Sequence, residues 1–363
     1  MMLLKMELGH IWKPKLLLVL LAAGLLYGFL FLEFPLNYFP NGHPAEEQFQ
    51  LMADWSERYG IEMDEEEYQD AVERLKTELG ITDPDADGES MLEPMDADYS
   101  EYDAQWASAL YEYELRYESL NQRLEEGDGS EAERARIRDM IDHEKRGGIL
   151  PYEVMGNAME YWRWVSGFLL LSVMLLLAPT VTKDTLTGVG TLQYTSKKGR
   201  RVLQTQALAM ALSAAGIVLL ELLIFGGLYA GLGTLRFWNH PINSFFFGDI
   251  YWFDLTFGQF LLAILLIILL FAAGAAGITF CFSCFSRNYI SLMMKVIPAL
   301  IVLGVLNNMC IMYLFDFQNP LYGVTGVKGV ELYLGVLVLL VGTVLGAITW
   351  RRQTRATDRN AEI

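Results

Sequence analysis

The chain has 363 residues, of which 53% are hydrophobic, yet its formal net charge at pH 7 is −17. A negative surplus of this size disfavours a nucleic-acid partner, because phosphate backbones are bound by basic surfaces. The charge is segregated, since residues 36–160 hold 34 of the 44 Asp and Glu but only 10 of the 27 Lys and Arg. The composition therefore predicts an apolar, mildly basic body that carries one acidic insert.

The body contains six apolar runs long enough to cross a bilayer, whose hydrocarbon core of about 30 Å requires about 20 helical residues. Lys13 and Lys15 precede the first run as in a secretory signal, but the run is too long for a cleaved signal and is interpreted as a retained anchor. We therefore expect an all-α, multi-pass protein of the cell membrane, surrounded by lipid. The predicted spans cover residues 16–35, 161–181, 204–232, 257–283, 293–315 and 331–350.

The basic residues near the span ends predict the orientation, because short cytoplasmic segments are enriched in Lys and Arg. With both termini in the cytoplasm, the inner segments hold fourteen bases and the short outer flanks hold three, so the insert is expected outside the cell. The inner bases are Lys5, Lys13, Lys15, Lys183, Lys197, Lys198, Arg200, Arg201, Arg287, Lys295, Arg351, Arg352, Arg355 and Arg359, and the outer ones are Arg163, Arg236 and Lys328.

The predicted organisation has four parts. An amphipathic lead and the first span occupy residues 1–35, and an acidic, helical extracellular domain occupies residues 36–160. Five spans follow over residues 161–350, with a cytoplasmic loop at 182–203, and a basic cytoplasmic tail occupies residues 351–363. Aromatic clusters next to the second and fourth spans are typical of an interfacial belt; they are Tyr161, Trp162, Trp164, Tyr251, Trp252 and Phe253.

The insert is predicted to be helical and partly coiled coil. Aromatic and aliphatic residues separated by threes and fours form a heptad seam, which favours a buried core over a ligand-stacking surface. Ser130 with Glu133 forms a capping box for a return helix, so a helical hairpin is expected. Asp64 with Glu67 begins a shorter helix that Gly80 ends. The seam residues are Tyr99, Tyr102, Trp106, Leu110, Tyr113, Tyr117, Leu120 and Leu124.

A weak calcium-site pattern lies between these helices. Asp83, Asp85 and Asp87 match the opening of an EF-hand loop, but the twelfth position is Pro94 instead of Glu. An acidic surface loop is the favoured interpretation. The strong negative charge of the insert suits a role in attracting cationic peptides, and it suits solubility equally well.

Few polar groups lie inside the spans. Glu221 is an acid well inside the third span, and such a residue marks either a cavity or a buried partner. Asn307 and Asn308 in the fifth span are expected to join helices more often than to bind substrate. We retain all three as candidates for a substrate pathway or a subunit interface. Two small-residue pairs predict close helix packing, Gly227 with Gly231 and Gly274 with Gly277.

Catalytic motifs are missing from the sequence. It contains no GxxxxGK[ST] phosphate loop, HExxH or GxSxG, and its four histidines are scattered. Cys281 and Cys284 form a CxxC without a second pair, so helix-packing residues are favoured over metal chemistry. We therefore expect a protein that is not an enzyme and binds no cofactor or metal directly.

The cytoplasmic loop carries the remaining signal. It has an acidic residue, a glycine, a leucine and a Ser, Gly, Arg ending, in a six-span chain with a basic amphipathic lead. This arrangement resembles the ABC-2 type permeases, the membrane subunits of ATP-binding-cassette exporters, although these more often have Glu where Asp184 stands and a short first outer loop. The loop residues are Lys183, Asp184, Gly188, Leu192, Ser196, Gly199 and Arg200.

The resemblance implies partners and a mechanism. The loop would dock as a coupling helix on a separate ATPase subunit that binds ATP and Mg, and a second permease, identical or related, would complete the exporter. The substrate would be a peptide or a lipid-like molecule. Two other classes stay open: a resistance or sensing component whose acidic domain captures cationic antimicrobial peptides, and a membrane anchor that displays a coiled coil for assembly.

Overall fold

The computed structural model describes residues 2–42, 45–81, 101–127, 129–143, 145, 147–188, 202–245 and 250–359. Over these residues the chain is helical, and its β-bridges are isolated pairs. A π-helical turn, Gly28–Leu32, joins the second and third helices. The helices in chain order are α1 (Met2–Ile11), α2 (Pro14–Tyr27), α3 (Glu33–Asn37), α4 (Ala45–Tyr59), α5 (Glu65–Leu79), α6 (Glu101–Glu125), α7 (Glu131–Asp142), α8 (Tyr152–Leu177), α9 (Pro179–Leu186), α10 (Val202–Ala230), α11 (Phe257–Cys284), α12 (Tyr289–Met312), α13 (Pro320–Thr325) and α14 (Val330–Arg359).

Six helical segments are long and apolar enough to cross a membrane, as the sequence predicted. The second begins at Tyr152 instead of residue 161, because its first turns carry side chains of the buried core such as Val154 and Met155. With six spans, both termini lie at one end of the bundle, here called the terminal end, and the insert lies at the other, the insert end. The spans are Pro14–Asn37, Tyr152–Leu186, Val202–Ala230, Phe257–Cys284, Tyr289–Met312 and Val330–Gln353.

The second span is the centre of the bundle. Its helix α8 packs against α2, α10, α11 and α12, and most of its side chains are buried. The fourth and sixth spans form the closest helix pair, because a Cβ atom on Gly274, Gly277 or Gly342 would lie closer than 3.0 Å to the backbone of the opposite helix. This confirms one of the two predicted glycine faces. The other makes no close helix contact among the described residues, since a Cβ on Gly227 would meet nothing there within 4 Å.

The insert contains the predicted hairpin, formed by α6 and α7. The capping boxes of Asp64 with Glu67 and Ser130 with Glu133 are both present, and Gly80 ends α5 in the left-handed conformation. The seam, however, has more than one partner. Helix α7 has 12 residues and α6 has 25, so α7 can cover only part of the seam.

The described seam residues therefore divide between two clusters. Trp106, Leu110 and Tyr113 pack with α4, α5 and Phe245, which belongs to the connection between the third and fourth spans. Leu120 packs with α7 and with residues of the connections at the insert end, including Trp252. A two-helix coiled coil is thus replaced by a helical layer that rests on the bundle. Tyr99 lies outside the described residues, as do the side chains of Tyr102 and Tyr117.

Backbone contacts hold the insert on the bundle. The bridge between Gly148 and Ser244 joins the insert to the connection between the third and fourth spans. Within the insert, Gly148 also pairs with Glu62, and Met63 N donates to Gly147 O at 2.7 Å. Gly148 is required for the approach to the bundle, because a Cβ on it would lie closer than 3.0 Å to Asn243 O. Gly147 is required in the same way for the contact with Met63 O inside the insert. Insert and bundle are consequently joined as one packed unit.

An ionic cluster adds to this contact. Arg136 of α7 is 6% exposed and reaches Asp254 at 2.6 Å, while Lys145 reaches the same carboxylate at 2.7 Å and Asp139 at 3.0 Å. Arg136 Nε also donates to Tyr251 O at 3.0 Å. Since Asp254 precedes the fourth span, these bonds tie α7 to the bundle.

The predicted aromatic belt is mostly core. Tyr161, Trp162, Tyr251 and Trp252 are each at most 5% exposed. Tyr161 donates its hydroxyl to Phe225 O at 2.7 Å. These rings are covered by neighbouring spans and by the insert, so they are not available to lipid head groups.

Candidate functional site

The short helix α9 is the described part of the predicted cytoplasmic loop. Pro179 interrupts the second span, and α9 starts as a separate helix at the terminal end. The first backbone N–H groups of a helix lack partners within it, and here Ser283 of the fourth span accepts from Val181 N at 3.0 Å and Thr182 N at 3.2 Å. Thr182 Oγ1 donates back to Ser283 O at 2.9 Å. The start of α9 is thereby bonded to the fourth span.

The end of α9 is bonded to the third span. Gln206 Nε2 donates to Asp184 Oδ2 at 2.6 Å, and Gln206 is 3% exposed in the first turns of α10. This bond connects the two sides of the loop, since α9 precedes residues 187–201 and α10 follows them. We call Thr182, Ser283, Asp184 and Gln206 the α9 latch.

Helix α1 places an acidic side chain next to the α9 latch. Glu7 is 4% exposed and lies beside Gln206 and Asp184. Burial and then the Asp184 charge raise the pKa of Glu7, and its neighbours His10 and Gln206 oppose this. Since α1 also packs on α10, the predicted amphipathic lead is part of the terminal end.

Two basic side chains meet next to the latch. Lys183 lies beside Lys13, the residue before α2, and this neighbour, with burial, lowers the pKa of Lys13. Gly188 follows α9 with a φ of +69°, which favours glycine over any side chain. Leu192, Ser196, Gly199 and Arg200 of the predicted motif lie outside the described residues, and so do Asp83, Asp85 and Asp87.

The three polar candidates inside the spans separate into two kinds. Asn307 is 1% exposed and donates to Ser166, so it joins the fifth span to the second. Asn308 is half-buried. Glu221 is 6% exposed and lines a cavity of about 630 Å³ between the first and third spans. Asn307 and Asn308 are not among the residues that line this cavity. The structure therefore does not bring the three together.

Two buried polar pairs have no counterpart among the sequence predictions. Glu331, 1% exposed, accepts from Asn319 and from Phe315 N at 3.3 Å, where the sixth span begins. His240 lies 2.6 Å from Ser56 Oγ and connects the insert to the bundle, and burial lowers the pKa of His240 to about 4. No sequence signal identifies either pair, because neither forms a spaced motif. Among the described residues, no group of His, Cys, Asp and Glu is arranged to hold a metal ion.

These observations define a multi-pass helical membrane protein with an acidic helical insert packed on one end and a latched short helix at the other. Comparison with protein-family models, curated proteins and solved structures finds no match to this chain.

Proposed function

We propose that the chain is the permease subunit of an ATP-driven exporter of the ABC-2 type. It would pair with a second permease subunit and with ATPase subunits that bind ATP and Mg, and it would move a peptide or a lipid-like molecule outward. The observation that carries the proposal is the α9 latch, which bonds the start of α9, where the predicted coupling loop begins, to the fourth span and the end of α9 to the third.

Such an arrangement can transmit force. Helix α9 continues from the second span, so a push on the loop would reach three spans at once through short hydrogen bonds and packed helices. Switching proteins use this kind of rigid contact to convert a local displacement into a helix movement. The exposed end of α9, with Leu186 44% exposed, offers an apolar contact for a soluble partner.

Substitutions in the loop test this function. Gly188→Ala places a side chain at a φ of +69°, a conformation that then costs about 1–2 kcal/mol. The free loop should relax to a negative φ, so that regaining the docked conformation weakens binding of the ATPase roughly 5–30-fold. Asp184→Asn should also weaken it by loosening the bond to Gln206. The readout is the amount of ATPase subunit that co-purifies with the tagged chain.

The matched control is Gly326→Ala. Gly326 has a φ of +64° and open space around its Cβ position, as Gly188 does, but it lies at the insert end. It should leave the co-purified ATPase unchanged. Wild-type amounts of ATPase with both loop variants, present in the membrane at normal levels, would exclude the coupling assignment.

A second function, capture of cationic peptides, is favoured by one observation. A surface pocket of about 450 Å³ on the insert is lined by Asp54, Glu57 and Glu78, by one base, Arg58, and by the buried side chains of Trp55 and Trp106. With three carboxylates against one guanidinium the pocket is net acidic, and carboxylates are the groups that pair with a Lys or Arg side chain.

The full chain, with its insert packed on the bundle, is the form to test for peptide capture. A basic peptide should bind it more weakly as salt is raised, and Glu57→Gln with Glu78→Gln should weaken binding further. Equal binding by wild type and the double variant at low salt would exclude this function.

A further inference from the structure

The cavity between the first and third spans is an apolar space that contains two acids. Its lining begins at Trp12, just before the first span, and follows that span to Asn37. The two acids are Glu33 on the first span and Glu221 on the third. Leu25 and Phe29, on its rim, are 69% and 68% exposed, so the cavity opens on the lipid-facing surface of the bundle. None of the described residues that line it is Lys or Arg.

Glu221 is the group that a ligand would satisfy. It is 6% exposed, and although Ser172 of the second span lies beside its carboxyl group, Oε2 has no hydrogen-bond partner among the described residues. A carboxyl group at membrane depth is costly unless it is paired. A phospholipid acyl chain has no polar group to offer it, so lipid alone leaves the cost in place.

The backbone around the cavity is also unusual. The π-helical turn Gly28–Leu32 contributes Gly28, Phe29 and Leu32 to the lining. Such turns are rare and occur frequently at functional sites. A Cβ atom on Gly28 would meet nothing within 4 Å, so this turn leaves room in the cavity wall.

We propose that this cavity binds an amphiphile with a long alkyl body and a single amine head group, and that Glu221 pairs with the amine. An ammonium supplies the donor that the carboxylate lacks, and the acidic lining selects against anionic amphiphiles. That this molecule is the transported substrate rests on the proposed function. Its binding does not, and can be measured without an ATPase subunit.

Binding of radiolabelled dodecylamine to the full chain in phosphatidylcholine nanodiscs tests the proposal. We expect saturable binding that dodecylamine displaces and dodecanol does not. Glu221→Gln should weaken it at least about tenfold, since a hydrogen bond between charged groups is lost. Gly28→Leu should reduce it to a similar extent by filling the cavity.

Two variants serve as controls. Glu160→Gln removes an acid that pairs with Arg163 away from the cavity, and Gly227→Leu adds a side chain in open space on the third span without lining the cavity. Both should bind as wild type does. Equal displacement by dodecanol, measured on the wild-type protein, or unchanged affinity of Glu221→Gln would show that the cavity holds ordinary lipid and would overturn the proposal. Because this assay contains no ATPase, its failure would leave the coupling function untouched.

Discussion

Polar side chains inside the spans have different surroundings, and these decide whether a side chain joins two helices or lines a cavity. Glu221 and Asn307 both stand out in the sequence because they interrupt apolar runs. The structure separates them, since the Asn307 amide nitrogen donates to Ser166 across two spans, whereas Glu221 lines a cavity. The sequence could not distinguish these outcomes, because Ser166 lies 141 residues from Asn307.

The hydrogen-bond partners in the α9 latch also could not be predicted from the sequence. Asp184 was predicted from its place in a motif, but its partner Gln206 is an unremarkable residue on the far side of the loop. Ser283, which lies within the CxxC of the fourth span, was not identified by any sequence pattern. Its role depends on where Pro179 breaks the second span, which is a property of the packed bundle.

The buried carboxyl group of Glu7 gives a prediction for a single residue. Its pKa is raised above the ordinary 4.5, by burial first and by Asp184 second. The folded state therefore binds more protons than the unfolded state, and stability should fall as pH rises through 4.5 toward the raised pKa. Glu7→Gln keeps the shape of the protonated form, so it should raise the melting temperature at pH 7.5.

The measurement is thermal unfolding in detergent at several pH values. Glu125→Gln, which changes an exposed carboxylate of α6, is the control and should have no effect. A melting temperature at pH 7.5 that falls with Glu7→Gln would contradict the assigned direction.

For individual helices, the sequence patterns that mark where a helix begins or ends were reliable. The capping boxes at Asp64 and Ser130 and the glycine end at Gly80 were predicted to the residue, because their bonds join positions three or four apart. The partner of the α6 seam was not predicted. Periodicity shows that a face is buried but not what covers it, and α7 is too short to cover it alone.

The contact between α11 and α14 depends on small residues. A Cβ atom on Gly342 would lie closer than 3.0 Å to the backbone of Gly274, so Gly342→Ala must separate the helices. We expect a loss of about 1–3 kcal/mol of stability. The control is Gly304→Ala in α12, where a Cβ meets nothing within 4 Å.

Unfolding in detergent, followed by circular dichroism, measures both variants. Gly304→Ala should unfold at or slightly above the wild-type temperature, because alanine favours a helix over glycine, while Gly342→Ala should unfold at lower temperature. Equal stability of the two would contradict the close approach of these helices.

For the whole molecule, the sequence predicted the division into an apolar body and an acidic insert but not how they join. The contact uses Gly148, the hydrogen bond between Ser56 and His240, and an ionic cluster, all of which unite distant parts of the chain. Within that cluster, Arg136 and Lys145 outweigh burial and lower the pKa of Asp254, so the cluster is held together near neutral pH. Net charge predicted an acidic unit separate from the body. It could not predict that the two pack together, because net charge contains no information on packing.

The central claim is that the chain works with an ATPase bound at α9. Site-specific photo-crosslinking tests it most directly, with p-benzoylphenylalanine in place of Leu186, 44% exposed on α9, and in place of Leu115, 41% exposed on the insert, as the control. After irradiation of living cells, mass spectrometry of the purified adducts identifies each neighbour. We predict a protein with a GxxxxGK[ST] phosphate loop attached at position 186 and not at position 115. Adducts at position 186 without any nucleotide-binding protein would contradict the account.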